Sequence, residues 1–365
     1  MIQNRGNMKS ELHDAVSLSG SKQIFPPNLI VQVPNGVPAI EMTYQEAIRE
    51  GLREEMLRDE SVFLIGEDIG KHGGAFGVTR TLFDQFGPQR VINTPISENS
   101  IVGVATGAAL VGMKPVIEIM FVDFSLLAMD QICNQAAKLR FMTGGQCNVS
   151  WVLRMPQGGG AGKSIAAQHS QSLEVLYAHI PGLKVVFPST PYDAKGLIKA
   201  AIRDENPVIF LEHKFLYNFH GLVPKEDYLI PIGKCDQKRE GKDVTVIADG
   251  SMVWHAMQAA LILSEEDIDV EVIDVQTIAP LDEQSIADSA RKTGRIVLVS
   301  EACRLYGPTG EWGMVVMEQA FDFLQAPVKR VTGRHSPIPF ASSIEIGVWP
   351  EVDDIVKAIR YVKQY

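Results

Sequence analysis

Val62-Phe63-Leu64-Ile65 is an unbroken apolar run that ends in Gly66-Glu67-Asp68. A strand with one wet face alternates apolar and polar residues, and this run does not, so both of its faces meet protein. Comparable runs recur at Pro115–Ile119, Val149–Met155, Lys184–Phe187 and Val208–Leu211. Between them lie segments of helical character, Glu98–Gly112, Phe124–Arg140 and Tyr192–Arg203, and ahead of them Ala47, Ile48, Leu52, Met56 and Leu57 recur at helical spacing. Buried strands separated by helices predict an α/β protein with a mostly parallel sheet covered on both faces.

Downstream, the polar stretch Gly221 to Asp243 breaks this rhythm with Pro224, Pro231, Gly233 and the charges Lys238-Arg239-Glu240. A second series follows: strand Val244–Ala248, helix Met252–Ser264, strand Val270–Val275, helix Glu283–Arg291 and strand Arg295–Val299. Strand Val328–Val331 and helix Val352–Val362 close the chain and leave Tyr365 near the surface. The expected division is an extension over 1–40, an α/β domain over 41–222, a linker over 223–243 and a second α/β domain over 244–365. Both domains are expected to be doubly wound.

Composition narrows the function. The 365 residues are 45% hydrophobic and carry 34 Lys+Arg against 44 Asp+Glu, a net charge of −10. That balance excludes disorder and argues against retention on nucleic acid or an anionic membrane by bulk electrostatics. The longest apolar stretch, Ile101 to Met113, is too short for a span of ~20 residues. Four scattered cysteines, Cys133, Cys147, Cys235 and Cys303, suit neither a zinc site nor a disulfide framework. With no basic-then-apolar start, and with Glu11 and Asp14 near the N-terminus, a cytoplasmic protein is expected.

Several motifs carry chemistry in part. The run Gly158 to Ser164 follows a strand, but Gln157 stands where a phosphate loop needs glycine, so a mobile glycine loop is expected. Gly66-Glu67-Asp68-Ile69-Gly70 with Gly73-Gly74 lacks dinucleotide spacing and reads as a flexible turn at a strand's C-terminal end, where ligands sit on such sheets. In Thr94-Pro95-Ile96-Ser97-Glu98-Asn99 a carboxylate opens a helix. The ordinary reason is the helix dipole; the functional one is a buried carboxyl of raised pKa that shares a proton with a base. His169, in Gln168-His169-Ser170-Gln171, is either a surface or structural group or a proton carrier, and no G-x-S-x-G elbow supports a serine triad.

These stretches, with Asp130-Gln-Ile-Cys-Asn134, Pro181-Gly-Leu-Lys-Val-Val186, Asp193-Ala-Lys-Gly196 and Ala201-Ile-Arg-Asp204, together resemble one family. It is the E1 β subunit of the thiamine-diphosphate-dependent 2-oxoacid and acetoin dehydrogenase complexes. The resemblance runs from about Thr43 to the C-terminus and implies a thiamine-pyrimidine-binding domain followed by a transketolase-like C-terminal domain.

The resemblance also implies roles. Glu98 would share a proton with the cofactor's aminopyrimidine nitrogen, promoting the tautomer that acts as base. His169 would be the active-site histidine that handles protons as the acyl unit moves to lipoamide; an imidazole pKa of ~6.5 suits that task. Met120 and Phe124 would pack the aminopyrimidine. Backbone carbonyls of Leu153, Ala201 and Ile202, with Asp204 and Asn206, would hold a structural potassium ion, a hard cation in an all-oxygen shell. The family's diphosphate and Mg2+ motif is missing: no Gly-Asp-Gly and no Asn-Asn occurs, and the nearest match is Ala248-Asp249-Gly250 in the other domain. An E1 α subunit in an α2β2 heterotetramer is therefore expected to supply that half, with a lipoyl-bearing E2 core as acceptor. Pyruvate is favoured as substrate by the Gln168–Gln171 and Ser189–Asp193 contexts, with acetoin and branched-chain 2-oxoacids open. A non-catalytic assembly subunit and a self-contained transketolase are the remaining readings.

Overall fold

The computed structural model describes residues 29–30, 33–34, 36–159 and 165–365. Most of the expected extension and residues 160–164 of the glycine loop lie outside the described residues.

Strand β1 (Ala39–Thr43) delivers Thr43 to the start of the helix Tyr44–Arg58. Thr43 Oγ1 accepts from Glu46 N–H at 3.2 Å while the Glu46 carboxylate accepts from Thr43 N–H at 2.8 Å, a reciprocal cap. Tyr44, Ala47, Ile48, Leu52 and Met56 face inward, as their spacing predicts; Leu57 is 58% exposed, one position off the buried stripe.

Strands β2 (Val62–Gly66), β3 (Val91–Asn93), β4 (Lys114–Glu118), β5 (Val152–Gln157), β6 (Lys184–Val186) and β7 (Val208–His213) form the first sheet in the order β6-β7-β5-β4-β2-β3, all parallel. Every residue of β2, β5 and β7 is buried, which explains their missing alternation. β8 (His220–Pro224) returns to pair antiparallel with β1.

In the second half, β9 (Asp236–Arg239), β10 (Val244–Ala248), β11 (Val270–Asp274), β13 (Ile296–Cys303) and β14 (Lys329–Gly333) form a sheet of order β14-β13-β10-β11-β9, parallel except for β9. The interval 223–243 is thus partly structured, since it holds the end of β8 and all of β9. β12 (Thr277–Ala279) leaves the second half and extends the first sheet antiparallel to β6, with Thr277 opposite Val186. Lys238 of β9 reinforces this seam. Its fully enclosed ammonium lies 2.7 Å from Asp193, 2.8 Å from Asp236 and 3.3 Å from Asp274.

Two helical segments depart from the sequence expectation. Phe124–Arg140 is a 3-10 turn over Val122–Ala128, a π segment over Asp130–Ala136 and an α-helix over Ala137–Met142. The tight turn lets Phe121 and Phe124 approach each other, and the wide one keeps Ile132, Cys133 and Ala136 inward. The helix Thr309–Ala320 was not expected, because Gly310 and Gly313 dilute its pattern.

Candidate active site

The first sheet sends its chemistry to one edge. Glu67 follows β2, Thr94 to Glu98 follow β3, Met120 to Phe124 follow β4, Gly158 and Gly159 follow β5, and His213-Lys214 end β7. These are the carboxyl ends of parallel strands, the usual ligand edge of open α/β sheets.

Glu98 opens the helix Glu98–Leu110 and is 7% exposed. Its neighbour Glu67, 8% exposed, is pushed above the ordinary carboxylate range by burial, then by the charge of Glu98; the Ser97 N–H opposes that rise. The turn that brings Glu67 here, which its glycines mark as a flexible one, is braced by hydrogen bonds. Gly70 N–H donates to Asn93 Oδ1 at 2.7 Å, Gly74 N–H to Asp68 O at 2.9 Å and Thr79 Oγ1 to Ile69 O at 2.7 Å. Gly74 has φ +80°, and a Cβ there would collide with the Glu118 carboxylate.

His169 is half-buried against two rings, with centroids 4.8 Å from Phe121 and 5.1 Å from Phe124, both edge to face. Phe121 also meets Phe76, which stacks on Tyr217 at 4.9 Å. Below, buried Arg154 joins Glu118 at 2.7 Å and Glu212 at 2.7 Å, and Tyr217 donates to Glu212 at 2.7 Å. Met120 is half-buried just past β4.

The segment bearing His169 is tied down from both halves of the chain. Gln171 donates to Asp123 at 2.7 Å, and Gly158 N–H to Gln171 O at 3.0 Å. Glu301, at the end of β13, accepts from Gly159 N–H at 2.7 Å, Ser172 Oγ at 3.2 Å, Ser251 Oγ at 3.3 Å and His213 Nε2 at 2.5 Å. His213 Nδ1 accepts from Phe215 N–H at 3.2 Å, so the proton sits on Nε2 and points at Glu301. Burial works against this carboxylate, yet its donors hold it well below the usual range.

The candidate potassium ligands stand at the opposite, amino edge. Asp204 Oδ1 accepts from the N–H and the side-chain amide of Asn206, each at 2.9 Å, and Ala201 O accepts from Asp204 N–H at 3.2 Å. Ile202 lies in the same last turn, and Leu153 is the second residue of β5. The other Asp204 oxygen pairs with the Lys184 ammonium, so a cationic group already stands where the ion's charge would be.

The carboxyl edge, by contrast, is incomplete. Glu67 Oε1, Thr94 Oγ1, Asp123 Oδ2 and Ser170 Oγ are buried with no hydrogen-bond partner among the described residues. Each such atom costs about 1–3 kcal/mol, so together they mark a place that a polar ligand completes. An aminopyrimidine fits: its amino group donates to such oxygens, its ring nitrogen suits a carboxyl, and its flat faces suit Phe124. The sequence singles out Glu98, His169, Met120 and Phe124 and places the Glu67 turn at the ligand edge, but it does not single out Phe121, Asp123, Lys214 or Glu301. Glu67 and Lys214 had a signal, each lying just past an apolar strand. Glu301 had none, because three of its four donors, Gly159, Ser172 and His213, come from the other half.

Comparison with known proteins matches residues 40–219 to the family described as "Transketolase, pyrimidine binding domain" and residues 233–355 to "Transketolase, C-terminal domain". The chain is 47% identical over 326 residues to the pyruvate dehydrogenase E1 component subunit beta-2, mitochondrial, of Oryza sativa subsp. japonica, covering 88% of this chain and 86% of that one. It is 45% identical to the pyruvate dehydrogenase E1 subunit beta of Rhizobium meliloti, covering 90% of this chain and 72% of that one. To the 2-oxoisovalerate dehydrogenase subunit beta of Bacillus subtilis it is 44% identical, covering 89% and 99%. Among solved structures, a split-gene transketolase described as an inactive beta4 tetramer shares the fold with a TM-score of 0.70 at 24% identity, covering 90% of this chain and 99% of that one.

Proposed function

The chain belongs to the E1 β-subunit family of the 2-oxoacid dehydrogenases, and on that premise we propose that it contributes the pyrimidine half of a thiamine diphosphate site completed by an E1 α subunit. The observation that carries this reading is the buried Glu67–Glu98 pair with an unpartnered oxygen, at the ligand edge of a parallel sheet. Two carboxyls side by side in a poorly solvated place do not both ionise readily. Burial and the nearby Glu98 charge favour the protonated form of Glu67, and Glu98 presents its carboxyl to the pyrimidine ring nitrogen. Met120, Phe121 and Phe124 give that ring an apolar wall. His169, held edge-on by two phenyl rings and by the tied segment around it, exchanges a proton as the acyl group leaves.

When bound, thiamine diphosphate supplies the carbanion that attacks the substrate carbonyl and the sink for electrons released on C–C cleavage. The diphosphate and Mg2+ are placed on the α chain, because this sequence has neither Gly-Asp-Gly nor paired asparagines. An α partner is further supported by apolar side chains exposed along and next to the helix that Glu98 opens: Ile96 at 82%, Val104 at 60%, Val111 at 80% and, on the turn packed against it, Leu127 at 66%. The full assignment is an α2β2 E1 that decarboxylates pyruvate oxidatively and passes the acyl group to lipoyl-E2 in the cytoplasm. No described helix is long and apolar enough to cross a membrane. We extend the reading to a structural potassium ion that would compete with Lys184 for Asp204. A higher unfolding temperature in potassium than in sodium at equal ionic strength supports it, and equal temperatures refute it.

The test is thiamine-dependent dye reduction with pyruvate, acetoin and a branched-chain 2-oxoacid, using the chain alone and with the α protein that co-purifies with it. Turnover by the pair, best with pyruvate, and none by the chain alone is expected. Activity from the chain alone overturns the shared site. An inactive pair on all three substrates favours a non-catalytic assembly subunit.

A further inference from the structure

We propose that Lys214 receives the carboxylate of the 2-oxoacid substrate. This rests on the reading of the site as that of a 2-oxoacid dehydrogenase and adds the residue that recognises the acid group. β7 ends at His213, so Lys214 arrives at the ligand edge, beginning the turn Lys214–Asn218. Its ammonium lies 5.3 Å from the centroid of Phe121, the ring that also packs His169 and Phe124. It donates to the carbonyl oxygen of His169.

An ammonium has three N–H donors. Among the described residues the His169 carbonyl is the acceptor that Lys214 engages, and no carboxylate forms an ion pair with it. Asp123, Glu301 and Glu345 face it from farther away; Asp123 is bonded to Gln171, and Glu301 to its own donors. His213 beside it directs its N–H at Glu301. A partly buried cation with open donors and no anion in direct contact is only partly compensated until an anion reaches it. A 2-oxoacid fits this place, because its carboxylate supplies the anion that the ammonium lacks in direct contact.

The kinetic signature follows from the chemistry. When the C–C bond breaks, its electrons pass to the cofactor and the carboxylate leaves as neutral carbon dioxide. The charge held by Lys214 is therefore greatest in the bound substrate and fades in the transition state. Such a contact lowers KM without raising kcat. Burial pushes Lys214 down to about 8, against the pull of the three acids. A lysine is charged below its pKa, so KM for the acid rises as pH climbs through that value.

The test uses Lys214→Gln and Lys214→Arg in the complex with the α subunit. For Lys214→Gln, KM for pyruvate is expected to rise about 10-fold or more, the scale of a lost charge pair. Its kcat should not fall, and half-saturation by thiamine diphosphate should not move. Lys214→Arg should restore KM and shift its alkaline rise to higher pH. An unchanged KM, or a collapse of kcat at constant KM, overturns the assignment, the latter leaving Lys214 only an anchor of the His169 segment. If Lys214→Gln does not assemble, the pH profile of Lys214→Arg decides, and an unshifted rise overturns the assignment. A wild-type complex that turns over no 2-oxoacid overturns the functional reading and this inference together, whereas wild-type turnover with an unmoved KM overturns this inference alone.

Discussion

The two parallel sheets end in acids at their carboxyl edges, and the acids are treated differently. At the second edge, Asp249 accepts from Ser300 at 3.0 Å, Asp274 faces Lys238 at 3.3 Å, and Glu301 gathers donors from Gly159, Ser172, His213 and Ser251. At the first edge, Glu67 and Asp123 each keep a buried oxygen without a partner among the described residues. One edge is a joint whose named carboxylates find their partners within the chain. The other is kept open at a cost in stability, which is reasonable only where a ligand supplies the missing partners. Similar strand grammar thus joins the two halves at one edge and, on the proposed reading, serves chemistry at the other.

The sharpest way to break this contrast is Glu98→Gln. Turnover by the complex should fall about 10³-fold without a drop in unfolding temperature, because the Glu98 charge repels Glu67 and no hydrogen bond among the described residues uses its carboxyl. Retained activity would remove Glu98 from the chemistry. Lys238→Met probes the joint. It strands buried Asp193 and Asp274 without their cation, and denaturant unfolding should show a loss of about 3–5 kcal/mol; a loss under ~1 kcal/mol would mean that the seam is not held electrostatically.

Glu67→Gln should do the opposite, stabilising the chain by about 1 kcal/mol at neutral pH while lowering turnover. The sign comes from the raised pKa: folding favours protonated Glu67, so the wild type loses stability as pH rises from its ordinary 4.5 through the higher folded value. The advantage of the variant should therefore appear above that range and vanish below it in pH-dependent melts. Smallest is Thr43→Ala, remote from both edges, which should cost about 1 kcal/mol through the lost cap and leave KM and kcat alone.

The strands were legible because burial on both faces writes itself as unbroken apolar runs, and Glu98 and His169 because they stand in recognisable surroundings. Other features had no local signature. β9 is an edge strand of polar residues, Asp236-Gln237-Lys238-Arg239, and its one fully enclosed cation looks like part of a solvated charge run. β12 is three residues long and pairs across the halves. Glu301 acts on groups more than a hundred residues away, so only folding reveals its role.

The central claim, that the open edge activates the cofactor, is tested most directly by exchange of the thiazolium C2 proton for deuterium. The measurement compares the α-bound wild type with α-bound Glu98→Gln, each carrying thiamine diphosphate. Exchange should be fast in the wild type and about 10³-fold slower in the variant, with cofactor still bound. Equal rates would contradict the account.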